Sequence, residues 1–175
     1  QNNPINRIDP TGALDWKPNM EGVTWFLHEV FPKIKSEKIN FKLAGRNIPK
    51  WIEKSTINNL EVVGEVPDAK EFISDHRIMI VPLLSGGGMR VKIIEGLALG
   101  KVVITTSIGV EGIKAKHKEH ILIADTASDF ARLIDEYSNN EEELDRIGSN
   151  ARKLIEKKYS NKVIVNKLMT FIGDI

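Results

Sequence analysis

Three consecutive glycines, Gly86, Gly87 and Gly88, follow an apolar run that ends at Pro82, and Arg90, Lys92 and Glu95 come directly after them. Each glycine loses more conformational freedom on folding than any other residue, so a run of three calls for a compensating use. One use is anion binding. Without a Cβ in the way, the backbone N–H groups of Ser85–Met89 can approach a phosphate, and a helix starting near Met89 or Arg90 adds partial positive charge. Arg90 at the mouth of that helix offers a fork of donors for phosphate oxygens. Projected at 100° per residue, Val91, Ile93, Ile94, Leu97 and Ala98 are expected to face the core, with Lys92, Glu95 and Gly96 opposite. That spacing suits a pyrophosphate held by the loop, Arg90 and Lys92, with Glu95 accepting hydrogen bonds from ribose hydroxyls. The plain alternative is a tight crossover followed by a surface Lys92–Glu95 pair. No Lys-Ser or Lys-Thr follows the glycines as in a P-loop, and the G-x-G-x-x-G dinucleotide pattern is absent.

The elements that must position these residues alternate along the chain. Phe41–Gly45, Leu60–Gly64, Arg77–Pro82, Lys101–Thr106 and His120–Ala124 are short apolar runs, several of them β-branched and bounded by glycine, proline or polar residues. Helical patterns lie between them. Asn19 is expected to cap a helix through Val23, Phe26, Leu27, Val30 and Phe31, and Asp68 to cap one over the following residues. Further helices are expected over 128–137, 141–159 and 161–172. Alternation of this kind implies a Rossmann-like, doubly wound α/β fold with a parallel sheet and right-handed crossovers. Residues 1–11 are polar and hold two prolines, so they read as an irregular boundary segment before a domain over 12–175. A first strand there is either very short or distorted, and Pro10 argues against a central position.

Composition narrows the function. Of 175 residues, 25 are Lys or Arg and 24 are Asp or Glu, so a net charge of +1 argues against nucleic acid as a partner. The chain has no cysteine, which excludes disulfides and thiolate metal sites. No apolar run is long enough to span a bilayer. The "HKEH" stretch at His117–His120 reads as a solvated loop rather than a metal site. Trp16 either shields a ligand cleft or packs a turn. Arg46, beyond the second apolar run, either points to the ligand edge or forms a salt bridge.

The stretches Gly12–Pro32, Phe41–Asn47, Val62–Asp68 and above all Val81–Ile113, with Asp125 and Phe130 beyond, resemble the C-terminal half of GT-B glycosyltransferases. Within these they are similar to the retaining family 4, or group 1, enzymes that build polysaccharide and lipopolysaccharide glycans. The resemblance covers nearly the whole chain from Gly12. It implies the donor-binding half of an enzyme that moves a sugar from a nucleotide-diphosphate sugar to a glycan or lipid-linked acceptor. Carried over, the backbone of Ser85, Gly86, Gly87, Gly88 and Met89 meets the diphosphate with Arg90 and Lys92. Glu95 holds the ribose, the loop at Val66 faces the base, and Gly12 leaves room for sugar and phosphate.

Two positions depart from the family. A glutamate that faces the donor sugar in many members is Gly87 here, and an arginine after the first-strand glycine is Ala13. A subset with the pattern GGG-x-R-x-K takes its positive charge from the later loop, which Arg90 and Lys92 fit. No Asp-x-Asp pair of the kind carried by metal-dependent GT-A enzymes occurs, so no cofactor and metal-independent binding are expected. The resemblance further implies a missing N-terminal acceptor domain and an isolated chain with little activity. Leu168, Met169, Phe171 and Ile172, on a final helix, would be left partly exposed without that domain. Membrane association is expected only through the missing domain, and the location is expected to be cytoplasmic. The alternatives are the nucleotide-binding half of a GT-B-like sugar-nucleotide epimerase and a non-catalytic α/β interaction domain.

Overall fold

Strand β1 is Ile5–Ile8, and it lies in the middle of the sheet. The computed structural model describes residues 5–8 and 14–159, with residues 5–8, 69 and 70 described by backbone alone. Gly12, Ala13 and the final helix expected over 161–172 fall outside the described residues. Among the described residues the sheet has six strands in the order β3-β2-β1-β4-β5-β6, where β2 is Asn40–Ala44, β3 Leu60–Gly64, β4 Ile78–Val81, β5 Val102–Thr105 and β6 Leu122–Ile123. Every pairing is parallel. The reading of residues 1–11 as an irregular boundary is therefore corrected. The strand is short, as one of its two alternatives had it, and central. The paired residues Ile5–Ile8 themselves contain no proline, so each keeps its N–H for the ladder.

The two faces of the sheet carry two cores. Ile78, Ile80, Val102, Ile104, Phe41 and Leu43 point into one cluster, while Met79, Val81 and Val103 point into the other, with the period of two that a pleated strand imposes. Both β4 and β5 are buried along their whole length, as parallel strands covered on both faces must be. Helix α1, Lys17–Trp25, and α5, Ala127–Tyr137, cover the first face. Aromatic edges lock this layer: Phe130 sits 5.5 Å from Trp25 and 6.0 Å from Phe26, ring centre to ring centre. Helix α4, Val91–Ala98, and the second half of α6, Glu141–Lys158, cover the other face. Short helices α2, Lys50–Glu53, and α3, Ala69–Ser74, complete the crossovers.

Three helix details differ from expectation. Asn19 does not cap α1. The helix begins at Lys17 because Pro18, which lacks an N–H, fits the first turn and carries the start past Asn19. After Trp25 the chain runs into a π turn at Phe26–Val30, which buries Phe26, Leu27 and Val30 together. In α4 the buried arc is Ile93, Ile94, Gly96 and Leu97, whereas Val91 is 65% exposed and Ala98 is exposed. Gly96 was expected outside. It faces the sheet because a Cβ there would stand 2.6 Å from Met79 Sδ, so the missing side chain lets α4 lie close on β4 and β5. The expected caps at Asp68 and the helix over 141–159 are present: Asp68 Oδ1 accepts from the Glu71 N–H at 3.1 Å.

The "HKEH" segment is a tied turn. His117 Nδ1 accepts the Ile123 N–H at 2.9 Å, and His120 Nδ1 accepts the Lys116 N–H at 3.2 Å. Burial, then Lys118 and Arg132, hold the His117 pKa below its ordinary value. The native chain therefore binds this proton less readily than the unfolded chain. Stability from His117 is complete above pH 6.5, the ordinary value, and is lost as pH falls from there toward the depressed native pKa. Denaturant midpoints between pH 8 and 5 are expected to fall in that window. His117→Asn, which keeps an acceptor and cannot titrate, is expected to flatten the fall; an unchanged slope would count against this assignment.

Candidate functional site

Parallel strands in this order reverse direction of progress between β1 and β4, and the crevice beyond their carboxyl ends is where such sheets take ligands. The glycine loop leaves β4 at that place. Gly86 has φ +102° and Gly88 φ +83°, both in the left-handed region that favours glycine, while Gly87 lies outside it. A Cβ on Gly87 or Gly88 would meet nothing within 4 Å, so the loop is bare backbone facing open space.

Arg90 is the N-cap residue of α4 and lies folded beneath this loop. It is 8% exposed. Its Nη1 donates to the Gly87 carbonyl at 2.6 Å, and its Nε and Nη2 are buried with no hydrogen-bond partner. A Cβ on Gly86 would stand 2.9 Å from Nη2, so that glycine makes room for the guanidinium itself. Among the described residues no carboxylate pairs with Arg90. A buried cation with two idle donors is costly, and an anion arriving at the loop would complete it.

Helix α1 forms the second wall. Gly22 seats it directly on the end of β4: a Cβ there would lie 1.8 Å from the Pro82 carbonyl oxygen. From α1 the buried amide of Asn19 accepts a hydrogen bond from Lys92 Nζ at 2.9 Å, and Glu21 Oε2 accepts one from Ser85 Oγ at 2.7 Å. The far wall is tied below. Thr105 Oγ1 donates to the Val81 carbonyl at 2.7 Å and Thr106 Oγ1 to that of Leu83. Asp125 then accepts from the N–H and hydroxyl of Ser107, at 2.7 and 2.6 Å, joining the ends of β5 and β6.

Of the residues singled out in the sequence, Ser85, Gly86, Gly87, Gly88, Met89, Arg90 and Lys92 come together on this loop and the start of α4. Glu95 is exposed on α4, near Val91 and Ala98, and lies three residues on from Lys92, which is half-buried. Val66 lies just beyond β3, three strand positions from β4, or about 14 Å at the usual spacing. Trp16 is 46% exposed at the head of α1. Arg46 is exposed, and its carbonyl accepts the Leu14 N–H at 2.9 Å. Sequence reasoning missed Glu21 and assigned Asn19 to a cap. The available signal was position, since polar residues in the first turns after a central strand lie on the ligand edge of such a sheet. Among the described residues no three His, Asp or Glu side chains gather as a metal-binding group. No described helix is long and apolar enough to cross a membrane.

The family model described as "Glycosyl transferases group 1" matches residues 9–140. An uncharacterized 44.6 kDa protein in the cps region of Klebsiella pneumoniae is 29% identical over 168 residues, which cover 90% of this chain and 43% of the relative. The chain thus spans less than half of that protein. Among solved structures, Anabaena HepE in complex with UDP-glucose aligns over 99% of this chain and 50% of its own, with a TM-score of 0.78 at 12% identity. The C-terminal domain of a group 1 family glycosyl transferase, LpcC of Francisella tularensis, aligns over 90% of this chain and 86% of its own, with a TM-score of 0.71 at 16% identity. At these identities the structural likeness speaks to the fold, which is that of one half of a GT-B enzyme.

Proposed function

Because the chain belongs to the group 1 glycosyl transferases, we propose that it is the donor-binding half of a retaining enzyme that moves a sugar from a nucleotide-diphosphate sugar to a glycan or lipid-linked acceptor. The observation that carries this reading is Arg90, buried under the glycine loop with Nε and Nη2 unpartnered. The diphosphate takes those donors together with the backbone N–H groups of Ser85–Met89, and Lys92 adds charge from the flank. Glu95 takes the ribose hydroxyls. The loop at Val66 receives the base, and the roughly 14 Å between β3 and β4 is a distance an extended nucleotide diphosphate covers. UDP-glucose bound to HepE supports a ligand of this class.

When the glycosidic bond breaks, negative charge grows on the β-phosphate. Donors fixed before the reaction stabilise that charge without reorganising, and here they are Arg90, the loop N–H groups and the N-terminus of α4. The same cations make a divalent metal unnecessary for binding. The acceptor binds in the remainder of the protein, across a cleft from this half. Met89, Val91 and Ile108 leave apolar surface exposed around the loop, which a facing domain would cover. The isolated chain is accordingly expected to bind donor and to turn over little of it. The same reading puts the enzyme in the cytoplasm, in polysaccharide synthesis.

Calorimetric titration of the chain with UDP, GDP, dTDP and ADP in the presence of EDTA tests this. Saturable binding of one of the four is expected, which also names the base. Binding by none would sink the donor-site reading, and binding that appears only with magnesium or manganese would overturn its metal independence.

A further inference from the structure

Beyond the diphosphate contacts, and resting on the donor-site reading above, we infer that Glu21 is the carboxylate that takes a hydroxyl of the donor sugar. It stands on α1 and reaches the glycine loop through Ser85 Oγ, 2.7 Å from its Oε2. Among the described residues its other oxygen faces Lys17, 3.7 Å away on a side chain that is 85% exposed, and such solvated pairs contribute little. Acceptor capacity therefore remains on a half-buried carboxylate at the mouth of the site.

Charge decides what part of a ligand can occupy that place. A carboxylate repels phosphate, so a ligand whose anionic part completes Arg90 must present a neutral donor to Glu21. Sugar hydroxyls are such donors, and their hydrogen bonds to a carboxylate are charge-assisted. The contact with Ser85 shows that Glu21 already binds one hydroxyl. The loop offers no side chain for this purpose. Gly87 has open space beside it and a backbone that does not require glycine, so the carboxylate bonded to the loop comes from α1 instead. Seating is firm, because the next residue, Gly22, is in direct contact with the end of β4.

The test compares each nucleoside diphosphate with its sugar derivative on the parent chain, Glu21→Gln and Glu21→Ala, by calorimetry. The pairs are UDP and UDP-glucose, GDP and GDP-mannose, dTDP and dTDP-glucose, and ADP and ADP-glucose. Glutamine keeps an oxygen for Ser85 and therefore the loop. Glu21→Gln is expected to hold the diphosphate within about twofold of the parent and to bind its sugar derivative about tenfold more weakly, the scale of a hydrogen bond to a charged group, while Glu21→Ala, which also releases Ser85, is expected to lose more on the sugar derivative than on the diphosphate. Should alanine unfold the chain, the glutamine variant decides. Equal losses on diphosphate and sugar derivative would make Glu21 a support for the loop, and a loss below twofold on the sugar derivative would remove it from the sugar site. Either result overturns Glu21 alone. A parent chain that binds none of the four diphosphates overturns the donor site and Glu21 with it.

Discussion

Arg90→Ala is expected to weaken binding of the preferred nucleoside diphosphate at least about 30-fold, because removing one partner of a desolvated charge pair costs about 2–5 kcal/mol. The same substitution is expected to leave the melting temperature within about 2 °C of the parent. In the free protein the guanidinium gives one hydrogen bond to the Gly87 carbonyl and withholds two donors from water. Losing the first costs about 1 kcal/mol, and losing the second returns a desolvation penalty of similar size or larger. Calorimetry and thermal unfolding on the same samples read both quantities. A large drop in melting temperature with affinity unchanged would make Arg90 a strut for the turn and would remove the anion site.

Gly22→Ala is expected to lower stability, which Arg90→Ala leaves nearly unchanged. A Cβ at this position falls 1.8 Å from the Pro82 carbonyl oxygen, and backbone on both sides leaves no flexible atom to yield. Helix α1 must lift off the end of β4. Overpacking of this kind costs about 3 kcal/mol at the upper end of its usual range, and the better helix propensity of alanine returns about 1 kcal/mol. A net loss of about 2 kcal/mol corresponds to a fall of about 4–8 °C in a domain of this size. Donor binding is expected to weaken as well, since Asn19 and Glu21 travel with the helix. An unchanged melting temperature would mean that α1 does not rest on the strand as described.

The strands were legible because a parallel sheet buries them on both faces, so β4 and β5 read as uninterrupted apolar runs. The glycine loop and Arg90 were legible for a related reason, being a costly local feature at the end of such a run. What escaped was set by contact between distant segments. Glu21 and Ser85 are 64 residues apart, and no spacing rule joins them. Gly96 turned inward because Met79 and Val103 leave no room for a side chain, a fact of packing rather than of helical projection. The central place of β1 escaped because four residues with prolines nearby carry too little pattern for a period of two to show.

The place of β1 has a kinetic meaning. Ile5–Ile8 pairs on one side with residues from Asn40 onward and on the other with residues from Ile78 onward, so the centre of the sheet is closed by contacts distant in sequence. Each half of the sheet can begin to assemble by nearer pairings, β2 with β3 and β4 with β5. The two halves join only when the N-terminal strand threads between them. High contact order makes that step slow, and until it happens both halves present unpaired inner edges to other chains. The strand with the weakest sequence signature is thus the one on which escape from aggregation during folding depends.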